Sequence, residues 1–167
     1  MKTTNETNFA ANNNLLTVTR TFDAPAQLVW RAWTEADLLD QWWAPRPWKS
    51  ETSHMDFSEG GYRLYTMVGP KGERHPGRTD YRQINPHTSF TGEDSFCDEA
   101  GTINYEMPVA KFKCLFEVKS GKTLVTMATE YASEEHLQQV IQMGMKEGLS
   151  MAFDNLDEVL SNELSHQ

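Results

Sequence analysis

The chain has 167 residues, 38% of them hydrophobic, and a formal net charge of −9. That length suits one domain able to bury about 70% of its unfolded surface, and eight Phe, five Tyr and five Trp supply bulky core and wall side chains. The acidic balance argues against nucleic acid or anionic membrane as partner, and no stretch approaches the roughly 20 apolar residues of a membrane span.

The start is polar and Asn-rich (Asn5, Asn8, Asn12, Asn13, Asn14) and lacks the apolar region of a signal peptide. Two cysteines, Cys97 and Cys114, fall on the two arms of an expected hairpin, too far out of register to pair. With the turn centred near Gly101, Cys97 faces Tyr105 and Cys114 faces Thr88. Free thiols and a cytoplasmic location are therefore expected.

Residues 1–13 read as a flexible tail, 14–162 as one domain and 163–167 as a frayed C-terminus. The first strand begins at Leu15, where Leu16, Val18, Arg20 and Phe22 alternate with threonines. Pro25 suits the first position of a short helix capped by Asp23 or Ala24 and carrying Leu28, Val29, Ala32 and Trp33. A capping-box variant from Thr34 to Asp37 opens a second short helix with Leu38, Leu39, Trp42 and Trp43, which Pro45 and Pro47 end.

Strands follow at 49–56, 62–68, 77–84, 88–96, 106–118 and 123–131. Glu59-Gly60-Gly61, Gly69-Pro70-Lys71-Gly72, Asn85-Pro86 and Lys119-Ser120-Gly121-Lys122 punctuate them, so short hairpins make the sheet antiparallel.

Ser133, with Glu134 and Glu135 behind it, caps a last helix running to about Ser161. At about 1.5 Å per residue this helix is roughly 40–45 Å long. Leu137, Ile141, Gly144, Met145, Gly148, Ala152, Leu156 and Val159 form one stripe, with Phe153 and Met143 off it. Two glycines inside a helix cost about 2 kcal/mol against alanine. Either another backbone approaches them closely, or bulk is omitted to leave room for a ligand.

The blocks Phe22-Asp23-Ala24-Pro25, Val29-Trp30-Arg31-Ala32-Trp33-Thr34, Trp42-Trp43 with Pro45, Glu59-Gly60-Gly61-Tyr62-Arg63, Tyr81-Arg82-Gln83-Ile84-Asn85-Pro86, Gly121-Lys122-Thr123 and Met145-Lys146-Glu147-Gly148 occur in an order that resembles a known family. It is the START-like helix-grip (SRPBCC) superfamily, in the branch of the C-terminal domain of the heat-shock-protein-90 ATPase activator. Gln83 stands where that branch commonly has an acidic residue, and Leu149 where it has tryptophan. The resemblance implies an α+β helix-grip fold like that of the birch-pollen allergen: a curved antiparallel sheet of about six to seven strands around a long C-terminal helix, with two short helices after the first strand. It also implies a pocket between sheet and helix for a small, largely hydrophobic molecule. Chaperone contact in the eukaryotic co-chaperone needs a further N-terminal domain, and the thirteen residues of the expected tail are too few for one.

Candidate ligand-binding residues are Trp33, His54, Arg63, Tyr65, Met67, Tyr81, Phe90, Phe112, Phe116, Met145, Gly148, Leu149 and Ala152, with Tyr131 as further aromatic wall. Alternation sets Arg63, Tyr65 and Met67 against Tyr62, Leu64 and Thr66, and either set can face inward. Arg63 is then either an anchor for a ligand carboxylate or a solvated rim residue. His54 shares a strand face with Asp56. Catalysis within the pocket requires inward polar groups such as His54, Arg63, Asp80 or Tyr81. No metal-ligand spacing, phosphate loop or dinucleotide fingerprint occurs, so no cofactor, metal or catalytic residue is expected. Ligand binding leads over catalysis and over a chaperone or stress-response adaptor role, and a homodimer through a sheet edge stays open.

Overall fold

The computed structural model describes residues 6–165. Eight strands make one antiparallel sheet: β1 (Asn8–Asn12), β2 (Leu15–Phe22), β3 (Lys49–Met55), β4 (Tyr62–Val68), β5 (Arg74–Asn85), β6 (Ser89–Phe96), β7 (Ala110–Lys119) and β8 (Lys122–Tyr131). Their order is β1-β2-β8-β7-β6-β5-β4-β3. The meander β3 to β8 thus closes back on β2, as the short turn-rich connections require. Helices α1 (Ala26–Thr34) and α2 (Ala36–Trp42) lie between β2 and β3, and α3 (Glu134–Gln142) and α4 (Met145–Ser165) end the chain. No helix among the described residues is long and apolar enough to cross a membrane.

Several expectations change. Residues 8–12, assigned to a tail, form β1 and pair with β2 through Asn12 opposite Leu15. The Asn run is turn chemistry: Asn13 takes φ +56 in a two-residue loop, a conformation that asparagine tolerates better than most residues. Residues 1–5 of that tail, and His166 with Gln167, lie outside the described residues. β1 raises the strand number above the expected six to seven.

The capping box at Thr34 does not form. Thr34 Oγ1 donates back to the Trp30 carbonyl, and Glu35 occupies the α2 cap position without a side-chain bond. Pro25 stands at the α1 cap, one residue earlier than expected. Cys97 bridges to Ile103 and Cys114 lies opposite Phe90, two residues from the expected register; both thiols are free.

The single long helix is two. α3 begins as expected, with the Ser133 hydroxyl accepting from the His136 amide at 3.1 Å. It stops at Met143-Gly144, where Gly144 adopts φ +92 and its amide bonds to the Ile141 carbonyl. That left-handed residue ends one helix and lets the next start at a new angle. Gly144 therefore serves the backbone, not a contact: a Cβ there meets nothing within 4 Å. Gly148 has no backbone pressed against it either, since its nearest neighbour is Pro45 Cγ at 3.8 Å. The close-approach explanation of both glycines is overturned.

The core lies beneath α1, α2 and the second half of α4. Phe22, Trp33, Trp42 and Phe153 meet there with ring centroids 4.7–6.0 Å apart. Phe153, placed off the helix stripe, is 1% exposed and central, because the break at Gly144 rotates α4 relative to α3. Arg20 fastens α4 to the sheet. Only 2% exposed, it pairs with Asp154 at 3.0 Å and closely with Asp157, and Nη1 also donates to Thr7 Oγ1 at 2.9 Å.

Two measurements check this account. Arg20→Met is expected to lower unfolding free energy in urea by about 3 kcal/mol, because it strands partly buried carboxylates. Gly148→Ala is expected to raise it by about 0.5–1 kcal/mol, the helix-propensity gain with no clash to offset it.

Candidate functional site

Strand register builds a polar row across the concave face. Arg63 of β4 lies opposite Thr79 of β5 and Thr79 opposite Asp94 of β6. Asp94 in turn faces Ala110 of β7, and Ala110 faces Tyr131 of β8. Cross-strand partners share a sheet face, so these five side chains point the same way. The direction is inward, because Arg63 Nη2 reaches Asp40 on α2 at 3.2 Å.

On one side of the row lie Tyr65, Gly77 and Phe96, and on the other Tyr81, Gly92 and Phe112, again by direct pairing. The two glycines make room for rings. A Cβ on Gly77 would sit 2.6 Å from the Tyr65 ring, and one on Gly92 2.9 Å from Phe112. Gly92 also accepts close approach of the Asp80 carbonyl, next to an irregularity in register between Tyr81 and Ile84. Inward glycines of this kind mark where a sheet bends.

Arg63 is not a solvated rim residue, and its guanidinium is engaged within the fold. It is 2% exposed, and its Nε donates to Thr52 Oγ1 at 3.1 Å while Nη2 also donates to Ser50 Oγ at 2.9 Å. Asp40 collects Ser50, Thr52 and Arg63 together. The guanidinium stacks over Tyr65 at 4.2 Å and lies 5.7 Å from the Trp43 ring. This knot fixes the end of α2 over β3 and β4.

Asp94 differs in kind. Oδ1 accepts from Thr79 Oγ1 at 2.6 Å, whereas Oδ2 accepts no hydrogen bond from the described residues. Burial pushes its carboxyl up to about 6; the Thr79 bond and the Arg63 charge oppose this and Asp80 adds to it. Yet Asp94 and Tyr65 keep part of their surface accessible. Asp94 thus sits in the middle of the concave face, half-buried, with its carboxyl raised by desolvation. Burial, and after it Asp94, also pushes Tyr131 to about 12 and the Cys114 thiol well up. Tyr65 is raised to about 12 by burial and then Asp94, and burial lifts Tyr81 strongly. These phenols stay neutral across ordinary pH.

The hydroxyls of Tyr81 and Tyr131 make no hydrogen bond among the described residues. The indole N–H of Trp43 is buried without an acceptor in good geometry, although it lies near enough to the Tyr65 hydroxyl to moderate that group's upward shift. A fully buried unpaired N–H like that of Trp43 is uncommon in a packed core. Trp43 lies against Tyr65, with ring centroids 6.1 Å apart, Pro45 lies beside Gly148, and the half-buried Ile141, Met145 and Leu149 of α3 and α4 pack on the core.

The candidate residues divide accordingly. Arg63, Tyr65, Tyr81 and Phe112 come together at the row. Met67 is half-buried on the same strand face, beside the α2 knot. Met145, Gly148 and Leu149 lie in the half-buried first turn of α4, with the buried Ala152 one turn on. Phe90 and Phe116 belong to an aromatic cluster with Trp30 and Phe57, Phe90 also meets Tyr81 and Phe112, and Trp33 packs against Phe116; Trp33, Tyr81, Phe90, Phe112 and Phe116 are all buried in the core. His54 is on the outer face, exposed and stacked on Tyr62 at 4.3 Å. Asp80 is outside too, bonded to Arg78. Of the four polar groups named as candidates for catalysis, Arg63 and Tyr81 point inside.

Asp94, Thr79, Trp43 and the strand glycines were not among the candidates. The signal for Asp94 was present: Phe90, Gly92, Asp94 and Phe96 share a face by period two. Among the described residues no three His, Cys, Asp or Glu side chains gather as a metal set.

The chain matches the family model described as "Activator of Hsp90 ATPase homolog 1-like protein" over residues 23–161. It belongs to that family. Among solved structures it is similar to protein Ms6760 of Mycobacterium smegmatis, with 32% identity and a TM-score of 0.84 over 93% of this chain and 95% of that one. A protein of Arthrobacter aurescens shows 29% identity and a TM-score of 0.87, covering 93% and 91%. One from Staphylococcus epidermidis shows 26% and 0.83, covering 93% and 94%. No curated protein matches significantly. The helix-grip class is therefore shown, with eight strands and a divided final helix.

The raised Asp94 carboxyl has a stability consequence. The folded chain keeps a proton that the unfolded chain releases, so stability falls as pH rises from about 4 to about 6, and the whole cost is present above that. Asp94→Asn keeps an oxygen for Thr79 and removes the charge. It is expected to stabilise by about 1–3 kcal/mol near neutral pH and by almost nothing near pH 4, read by urea denaturation at both.

Proposed function

We propose that the chain binds a small, largely apolar molecule in the recess between the inner sheet face and the α3–α4 pair. The observation that carries this reading is Asp94: desolvated, yet still accessible, with one oxygen unspent among neutral phenols. Half-buried Met145, Leu149 and Ile141 would cover the apolar body, which is how small-molecule sites are commonly built. Gly148 omits a side chain where a Cβ has space, in agreement with the ligand-room explanation of its place in the helix. The free thiols of Cys97 and Cys114 suit a reducing cytoplasm.

Native mass spectrometry of the chain purified from its own host is expected to show a non-covalent small-molecule adduct that organic extraction removes. Gly148→Leu is expected to reduce adduct occupancy at least about fivefold while unfolding free energy stays within about 1 kcal/mol of wild type. Apo protein from every preparation, with Gly148→Leu indistinguishable, would overturn the reading.

The family description supports a second reading, an adaptor for the heat-shock-90 chaperone. Pull-down with the host's chaperone separates the two, because an adaptor is retained whatever the state of the recess. The edge strands β1 and β3 leave self-association through a sheet edge for the same preparations to show.

A further inference from the structure

The head group of the ligand follows from what the polar row leaves unspent, an argument that rests on the recess being a ligand site. Arg63 is the one cation of that row, and its charge is already matched. Nη2 serves Asp40 at 3.2 Å and Ser50 at 2.9 Å, Nε serves Thr52 at 3.1 Å, and the plane lies on Tyr65 at 4.2 Å. A ligand carboxylate would have to compete with Asp40, on the same side of the sheet as Asp94. A further negative charge beside Asp40 and Asp94 is costly, because the one cation of the row is already paired.

What remains is an acceptor. Asp94 spends Oδ1 on Thr79 at 2.6 Å and nothing, among the described residues, on Oδ2. The Tyr131 hydroxyl, two strands away in the same row, is neutral and without a hydrogen bond, as is that of Tyr81 on the neighbouring row. Phenols answer either a donor or an acceptor. An ionised carboxylate oxygen only accepts, and it makes the stronger, charge-assisted bond.

We infer that the recess selects an apolar molecule whose head group donates hydrogen bonds and carries no negative charge, an alcohol or a primary amine, with Asp94 Oδ2 as the acceptor. Fatty acids and other carboxylates are the wrong class for this chain, although the fold offers them the same apolar volume.

Four probes with one apolar body test this: naphthylethylamine, naphthylethanol, naphthylacetate and the headless ethylnaphthalene, titrated into full-length protein near neutral pH and followed by fluorescence. The amine and the alcohol are expected to bind at least about tenfold more tightly than naphthylacetate. In Asp94→Asn the amine is expected to weaken about tenfold, closing its gap to naphthylacetate to within about threefold.

Equal or tighter binding of naphthylacetate to wild type would overturn the inference. So would an unchanged gap in Asp94→Asn. Ethylnaphthalene binding with no head-group preference would sink this inference alone. Failure of all four would sink the ligand site with it.

Discussion

The seat of α2 on the sheet depends on one buried guanidinium. Arg63 ties β4 to Thr52 and Ser50 of β3 and, through Asp40, to α2, so α2 acquires a fixed place above the sheet. Trp43 and Pro45 follow from that placement, and with them one wall of the proposed site. A buried ion pair is a weak source of net stability but a strong source of register. Here it holds a roof over a floor.

Arg20 does the corresponding work on the far side. It clamps α4 through Asp154 and Asp157, beside the packed aromatic core of Phe22, Trp33, Trp42 and Phe153. The molecule is therefore uneven. One half is dense with edge-to-face rings, each pair adding to simple burial. The other half carries the polar row and its unspent atoms. Asp94 belongs to the second half, which is why its carboxyl feels burial without full enclosure.

Much of the fold was legible in the sequence. Residues 62–68 were read as a strand, and β4 spans Tyr62–Val68; Ser133 was read as a cap and is one. The misreadings share a cause, namely that periodicity says where side chains group and not where the backbone turns. Gly144 fits the apolar stripe and yet breaks the helix, because φ +92 is open to glycine at little cost. The Asn run at 12–14 looks like polar tail and is a hairpin turn. In the site, the aromatic residues were legible as a set, since Tyr65, Tyr81 and Phe112 meet at the row. Asp94 was passed over because an acidic residue on a strand is by default solvent-facing, and only register places it beside Tyr131. His54 was assigned inward because a register irregularity between Thr52 and His54 is invisible before the strands are paired.

The strand glycines have a consequence for how this scaffold diversifies. Gly77 and Gly92 let the Tyr65 and Phe112 rings lie flat on the sheet. A larger residue at Gly77 would push the Tyr65 ring off the sheet, and one at Gly92 would collide with the Asp80 carbonyl as well as the Phe112 ring. The height of the inner sheet surface is thus encoded in two codons of the central strands, one of them under the ring on which Arg63 stacks. A lineage could retune that height by drift at those two sites while the hydrogen-bonding atoms of the polar row kept their addresses.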